Sequence, residues 1–329
     1  MSTTVTAARS MTVQGVADVA ERITASVASV IEGKPDVIRL STVVLLAGGH
    51  LLVEDVPGVG KTMLAKSLAR SMHGSMRRIQ FTPDLMPSDV TGVSVFNQQT
   101  REFEFRPGGI FANVVLGDEI NRASPKTQSA MLEAMEESQV SVDGFTYPLD
   151  APFMVIATQN PVEMEGTYPL PEAQRDRFMV QTAIGYPGVA DEVAMIDTQA
   201  GESSYSAQRA VVTAQDVAGA VAAARDVHVA PTIKHYVVEL INSTRRSPDL
   251  RLGASPRATI HLIRAARARA AMDGRDFVLP DDVQALAVPV LAHRLLMTAE
   301  AQIGRRSAAE VVDELVRSMP APGPEPARG

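Results

Sequence analysis

His50-Leu51-Leu52-Val53-Glu54-Asp55-Val56-Pro57-Gly58-Val59-Gly60-Lys61-Thr62-Met63 is the stretch that decides the fold. It opens with a short apolar run bounded by Gly49 and Pro57, which reads as a buried strand. It closes into Leu64-Ala65-Lys66-Ser67-Leu68-Ala69, which reads as a helix. Strand, glycine loop and helix in that order make a phosphate cradle. Gly58 and Gly60 let backbone N–H groups converge on anionic oxygens. The helix starting at Lys61 points its N-terminus at the same charge. Lys61 would reach the outer phosphates, and the Thr62 hydroxyl would coordinate Mg2+. The pattern is G-x-x-x-x-G-K-[ST] with Asp55 in place of the first Gly. Asp55, Val56, Pro57, Gly58, Val59, Gly60, Lys61, Thr62 and Met63 therefore form the expected phosphate-binding segment.

Two further apolar runs lie downstream, Val114-Val115-Leu116 and Phe153-Met154-Val155-Ile156-Ala157. Helical stretches separate all three, which predicts an α/β protein with a parallel sheet covered on both faces. The second run ends in Gly117-Asp118-Glu119. Two acids at a strand end can be a solvated terminus. About sixty residues after a phosphate loop they read instead as a carboxylate that holds Mg2+ through water, Asp118, and a base that polarises the attacking water, Glu119.

Upstream, apolar residues at helical spacing (Val16, Val19, Ile23, Val27, Ile31) predict a helix from Val13 to Ile31, and a second helix is expected from Pro35 to Ala47. After about Gly185 no further strand is expected. Residues 188–317 are Ala-rich and read as helices, with starts at Thr213/Asp216, Ser255-Pro256 and Pro280-Asp281-Asp282. Alternation across Glu102–Phe111 suggests a hairpin, and Gln139–Thr146 a second one with an Asp143-Gly144 turn. The expected organisation is a loose N-terminus (1–12), an α/β core (13–187), a helical domain (188–317) and a disordered Pro-rich tail (318–329).

Composition excludes several classes of function. The 329 residues include no Cys and no Trp, and the net charge is −7. There can be no disulfide framework, thiolate zinc site or Cys nucleophile. The acidic balance and an aromatic content of 4% argue against a nucleic-acid coat or a base-stacking platform. The longest apolar run, Ser41–Val53, is too short to span a bilayer and contains Gly48, Gly49 and His50. No signal-peptide pattern is read at the N-terminus, so no membrane insertion and a cytoplasmic location are expected.

The run from Asp118-Glu119-Ile120-Asn121-Arg122-Ala123-Ser124-Pro125 through Glu137 resembles the signature of MoxR-type AAA+ ATPases. So do Gln80–Gly92 and Glu54-Asp55-Val56-Pro57-Gly58, the last of which accommodates Asp55. The resemblance spans about residues 13–317. It implies an AAA+ αβα core with a small all-helical lid, ATP as substrate with Mg2+, and a homo-oligomeric ring, often a hexamer. It also implies chaperone-like remodelling, assembly or cofactor/metal insertion in a client protein, often with a separate von Willebrand factor A-domain partner. A DNA-acting AAA+ protein and a chelatase-type motor subunit are the alternatives. No basic tract or DNA-binding appendage favours the former, and no nucleic-acid partner is expected.

Further residues follow from the resemblance. Asn160, after the third strand, is implied as the sensor that orients the attacking water; read alone, Asn160-Pro161 is an ordinary turn. In Pro171-Glu172-Ala173-Gln174-Arg175-Asp176-Arg177-Phe178, Arg177 is implied as the arginine finger that reaches a neighbour's γ-phosphate. Arg175 stands where the family usually has Leu and competes for that role. Arg257, opening a lid helix, is implied as a second sensor touching phosphate in cis. On the same helix, Arg264, Arg267 and Arg269 form a stripe that reads as a solvated face or subunit contact more readily than as a nucleic-acid face. Neither hairpin carries an aromatic–Val–Gly threading loop, so protein translocation through a pore is not expected.

Overall fold

In the computed structural model, residues 11–160, 168–190, 192–193 and 204–323 are described. Chain order begins with α1 (Val13–Ala28), α2 (Pro35–Leu46), β1 (Leu51–Glu54), α3 (Lys61–Ser71), β2 (Met76–Gln80) and α4 (Pro87–Thr91). Next come β3 (Gly92–Asn97), β4 (Glu102–Pro107), β5 (Val114–Asp118), α5 (Pro125–Glu137), β6 (Gln139–Val142), β7 (Phe145–Pro148), β8 (Met154–Gln159), α6 (Glu172–Arg175) and β9 (Val180–Thr182). The C-terminal part holds α7 (Ser204–Ala207), α8 (Ala214–Arg225), α9 (Pro231–Arg246), β10 (Leu250–Leu252), α10 (Pro256–Met272), α11 (Pro280–Leu291), β11 (Leu296–Met297), α12 (Ala299–Ile303) and α13 (Ala308–Ser318).

Five strands form one parallel sheet in the order β2-β5-β8-β1-β9. Side chains alternate across it. Leu51, Val53, Val114, Leu116, Met154 and Ile156 face a hydrophobic cluster shared with α1, α2, α3 and the helical C-terminal part. Leu52, Val115, Val155 and Ala157 face a second cluster built with α5 through Met131, Leu132 and Met135. Burial on both faces explains why the three central strands read as unbroken apolar runs, each fully buried Leu, Val or Ile contributing about 1.5–3 kcal/mol.

The two edge strands are hidden in the sequence for different reasons, charge at one and shortness at the other. β2 is Met76-Arg77-Arg78-Ile79-Gln80, and as an edge strand it exposes Arg77 and Arg78 while burying Ile79. Charges of this kind blunt a free edge and erase the apolar signal. At the other edge, β9 is three residues long. Both expected hairpins are present: β3 pairs with β4, and β6 with β7. The second turns through Asp143 and Gly144, both at positive φ, as an Asp-Gly hairpin turn requires.

The lid is helical, but it also holds a short antiparallel ribbon of β10 and β11. The expectation of no strand after Gly185 is corrected here; segments of two or three residues carry no period to detect. The expected helix starts are in place: Thr213 and Asp216 form a reciprocal cap, Ser255 caps α10, and Pro280 opens α11. The stripe on α10 is turned inward. Arg264 donates to the carbonyls of Ala47 and Gly48 at the end of α2, and Arg269 pairs with buried Asp282 (3.3 Å). Of the loose terminus and Pro-rich tail, residues 1–10 and 324–329 lie outside the described residues.

Candidate active site

The phosphate loop leaves the carboxyl end of β1. Gly58 and Gly60 hold φ of +86° and +97°. A Cβ at either would meet nothing within 4 Å, so backbone conformation and not crowding requires glycine here. Gly60 is the N-cap of α3 and supplies no side-chain cap, so the first N–H groups of the helix remain directed at the loop. Lys61 Nζ spans the loop, donating to the carbonyls of Asp55 (2.7 Å) and Val56 (3.1 Å). Its pKa is lowered by desolvation and partly restored by Asp55, Asp118 and Glu119. A cavity of about 480 Å3 opens beside it. Pro57, Gly58, Gly60, Lys61, Thr62 and Met63 line the loop side, and Lys66, Arg78, Asp118, Glu119 and Asn160 complete it.

Three loop residues do not line this cavity. Val59 packs on the hydrophobic core, Val56 offers its carbonyl to Lys61, and the Asp55 carboxylate is turned to the chain beyond β9. The buried Asp55 carboxylate accepts the N–H of Val56 through Oδ1 (2.8 Å), and those of Ile184 (2.7 Å) and Gly185 (2.6 Å) through Oδ2. Asp55 thus ties the start of the phosphate loop to the chain that leaves β9 for the lid, a role its place in the motif does not reveal.

Asp118 ends β5 and Glu119 follows in a left-handed conformation, φ +57°. This non-glycine outlier turns the second carboxylate off the strand direction, so the two acids diverge. Thr158 of β8 joins them: its hydroxyl donates to Asp118 Oδ1 (2.7 Å) and accepts the Glu119 N–H (2.9 Å). Arg78 pairs with Asp118 Oδ2 (2.6 Å) and donates to Gln80 Oε1 (2.6 Å). Gln80 Nε2 in turn donates to Glu119 Oε2 (3.2 Å), which also pairs with Arg122 (3.0 Å). Arg78, Gln80 and Thr158 were missed as site residues, the first two because the edge strand that places them was missed. Among the described residues no cluster of three or more Asp, Glu or His can hold a metal ion unaided. The donor set that does meet in the cavity, the Thr62 hydroxyl and the Asp118 carboxylate, is hard oxygen and few in number. That suits Mg2+, which takes its remaining ligands from phosphate and water.

Arg177 and Arg257 are elsewhere. They line a second cavity of about 360 Å3 with Gly48, Gly49, His50, Phe153, Arg225 and Arg264 among its walls. His50 precedes β1, Phe153 precedes β8 and Arg177 precedes β9. This cavity therefore sits at the amino ends of the strands whose carboxyl ends carry the phosphate loop. β1 alone, four residues at about 3.3 Å each, separates them by about 13 Å. Glu136 near the end of α5 pairs with both cations: Oε2 with Arg177 Nη2 (3.1 Å) and Oε1 with Arg257 Nη2. Asp176 holds Arg257 (3.5 Å) and accepts from Ser255 Oγ, the N-cap of α10. Arg257 is thus brought to Arg177, and it does not line the phosphate-loop cavity of its own chain. Arg175 lines neither cavity. It lies near His293, and its Nε is buried without a hydrogen-bond partner.

Histidines knit this end together in neutral form. His50 Nδ1 accepts the Val155 N–H and Nε2 meets the Met135 carbonyl, both at 3.0 Å. Burial, with Arg264 nearby, lowers its pKa to about 4. His261 is lowered to about 2 by burial and by Arg294 and Arg264.

Residues 50–180 match the ATPase family associated with various cellular activities (AAA), and residues 242–315 match the AAA lid domain. Over 293 residues the chain is 50% identical to the uncharacterized protein YeaC of Bacillus subtilis, covering 89% of this chain and 92% of that one. It is 41% identical over 311 residues to the chaperone MoxR1 of Mycobacterium tuberculosis, covering 92% and 82% respectively. The protein belongs to the MoxR family of AAA+ ATPases. A protein MoxR of Methylorubrum extorquens is 32% identical over 328 residues, covering 92% of this chain and 94% of that one. The crystal structure of a putative ATPase from Cytophaga hutchinsonii superposes with a TM-score of 0.88 at 36% identity, covering 94% of this chain and 97% of that one. As a MoxR-family member the chain is a chaperone-like ATPase that hydrolyses ATP. Among the described residues no helix is long and apolar enough to cross a membrane.

Proposed function

We propose that this ATPase works as a ring, often a hexamer in this class, in which each subunit binds ATP at the carboxyl end of its own sheet. Each subunit then completes its neighbour's site with Arg177 and Arg257 from the amino end. The observation that carries the reading is the position of these arginines. Both stand across the sheet from the phosphate loop of their own chain, joined by one carboxylate. In such a ring Lys61 and the N-terminus of α3 hold the phosphates. Thr62 and Asp118 would hold Mg2+, which neutralises phosphate charge when bound. Glu119 takes the proton of the attacking water as the new O–P bond forms and the bond to the β-phosphate oxygen breaks, giving ADP and phosphate. Asn160, at the end of β8 in the same cavity, orients that water. Arg177 and Arg257 meet the charge that develops on the departing phosphates.

Turnover is proposed to drive remodelling, assembly or cofactor/metal insertion in a client protein, with a separate von Willebrand factor A-domain protein as partner and the cytoplasm as location. Mixing tests the shared site. Arg177→Ala and Glu119→Gln chains should each be nearly inactive, and a mixture should recover turnover because Glu119→Gln donates Arg177 to an intact Glu119. A mixture as inactive as its components would overturn the reading. The Glu119→Gln chain held with ATP is the bait for the client.

A further inference from the structure

Among the described residues four arginines line the amino-end cavity: Arg177, Arg225, Arg257 and Arg264. Among the described residues Glu136 is the one carboxylate that lines it, in a chain whose net charge is −7. Arg264 is satisfied by the carbonyls of Ala47 and Gly48, and Arg225 lies close enough to lower its pKa. The two histidines that face the cavity, His50 and His261, are neutral and give no relief of charge. Like charges gathered in one cavity repel one another unless a counter-charge stands between them.

Glu136 counters this with a divided carboxylate. One oxygen takes Arg177, from the turn before β9 in the core, and the other takes Arg257, from helix α10 of the lid. Asp176 holds Arg257 from the other side and Ser255 with it. Arg257 therefore has two carboxylate partners, and Glu136 is the carboxylate paired with Arg177. We infer that Glu136 is a positioning residue for hydrolysis on the neighbouring subunit: it holds Arg177 and Arg257 side by side, across the core–lid boundary, as a single two-cation unit for a triphosphate. The inference rests on the inter-subunit reading above. Glu136 acts through the two arginines and not on phosphate itself, since an acid would repel that charge.

The test uses full-length chains and donors silenced at their own sites. Arg177→Ala acceptor chains are mixed with Glu119→Gln donors, with Glu119→Gln/Glu136→Ala donors or with Glu119→Gln/Glu136→Gln donors, and ATP turnover is measured against ATP concentration. Glu119→Gln donors should restore turnover. Glu136→Ala in the donor should lower the restored kcat about tenfold or more while the acceptor's KM for ATP stays within about twofold, because the acceptor's phosphate loop is untouched. Glu136→Gln keeps the shape and one accepting oxygen, and should fall between the two. Each donor's own affinity for ATP should be unchanged, which a general loss of structure would not allow. Equal restoration by the Glu136 donors and the parent donor would overturn the assignment. If even the parent donor restores nothing, the inter-subunit reading fails, and this inference with it. Should Glu136→Ala not fold, Glu136→Gln alone decides the matter: full restoration refutes the role and a reduced kcat supports it.

Discussion

The two ends of one sheet are built from different materials. At the carboxyl end the phosphate loop works through its backbone: glycines at positive φ and the bare N-terminus of α3. Among the described residues three cations there, Lys61, Lys66 and Arg78, face two acids, Asp118 and Glu119. At the amino end the cavity works through side chains, four guanidiniums against Glu136. A site made of backbone must be contiguous, and it leaves a motif. One made of side chains can be gathered from Glu136, Arg177, Arg225 and Arg257, each from a different part of the chain, and leaves none. One end is suited to bind phosphate and the other to present charge to it, and a single chain does not bring the two together.

That contrast can be broken in several places. The largest effect on binding is expected for Lys61→Ala, which should lose ATP affinity by about a hundredfold or more and turnover with it, since it removes a charge-assisted contact in a half-buried site. Isothermal titration that finds unchanged affinity would dissolve the phosphate-loop end of the comparison. Arg177→Ala should keep ATP affinity within a few-fold and lose about 10³ in turnover, the lower bound for such fingers in GTPases. Equal losses of binding and turnover would place Arg177 at the wrong end. Glu119→Gln should bind ATP normally and turn over about 10²–10⁴-fold more slowly; steady-state kinetics with normal kcat would remove Glu119 as the base.

A smaller effect is expected from pH. His50 and His261 have folded pKa values of about 4 and about 2, below the usual 6.5, so the unfolded chain binds more protons as pH falls from 6.5. Stability should be full above pH 6.5 and decline below it, by about 2 kcal/mol per histidine between pH 8 and pH 5. Denaturant titrations showing equal stability at both pH values would mean that the amino end is not packed around neutral imidazoles. The smallest effect is expected for Arg175→Ala: turnover within about twofold of the parent, since Arg175 lines neither cavity. A loss matching that of Arg177→Ala would shift the presenting cation to Arg175.

Legibility followed the same division. Strands β1, β5 and β8 were readable because burial on both faces leaves uninterrupted apolar runs, and the loop was readable because its chemistry is continuous. β2 was hidden by Arg77 and Arg78, and with it went the partners of Asp118 and Glu119. Arg177 and Arg257 were named through family resemblance, yet their common partner Glu136 was not. One end of a helix reads as surface until the fold brings two cations to it. Asp55 was legible as part of the loop but not as a residue facing away from it.

Asp55 has one more consequence. Its buried carboxylate grips Ile184 and Gly185, and Lys34 holds the next residue through the carbonyl of Tyr186 (2.7 Å). The first link of the phosphate cradle is therefore also the anchor point of the strap that leads to the lid. While those bonds last, the start of the cradle and the chain leaving β9 are held to one another, so a change that weakens the Asp55 carboxylate as an acceptor loosens both at once.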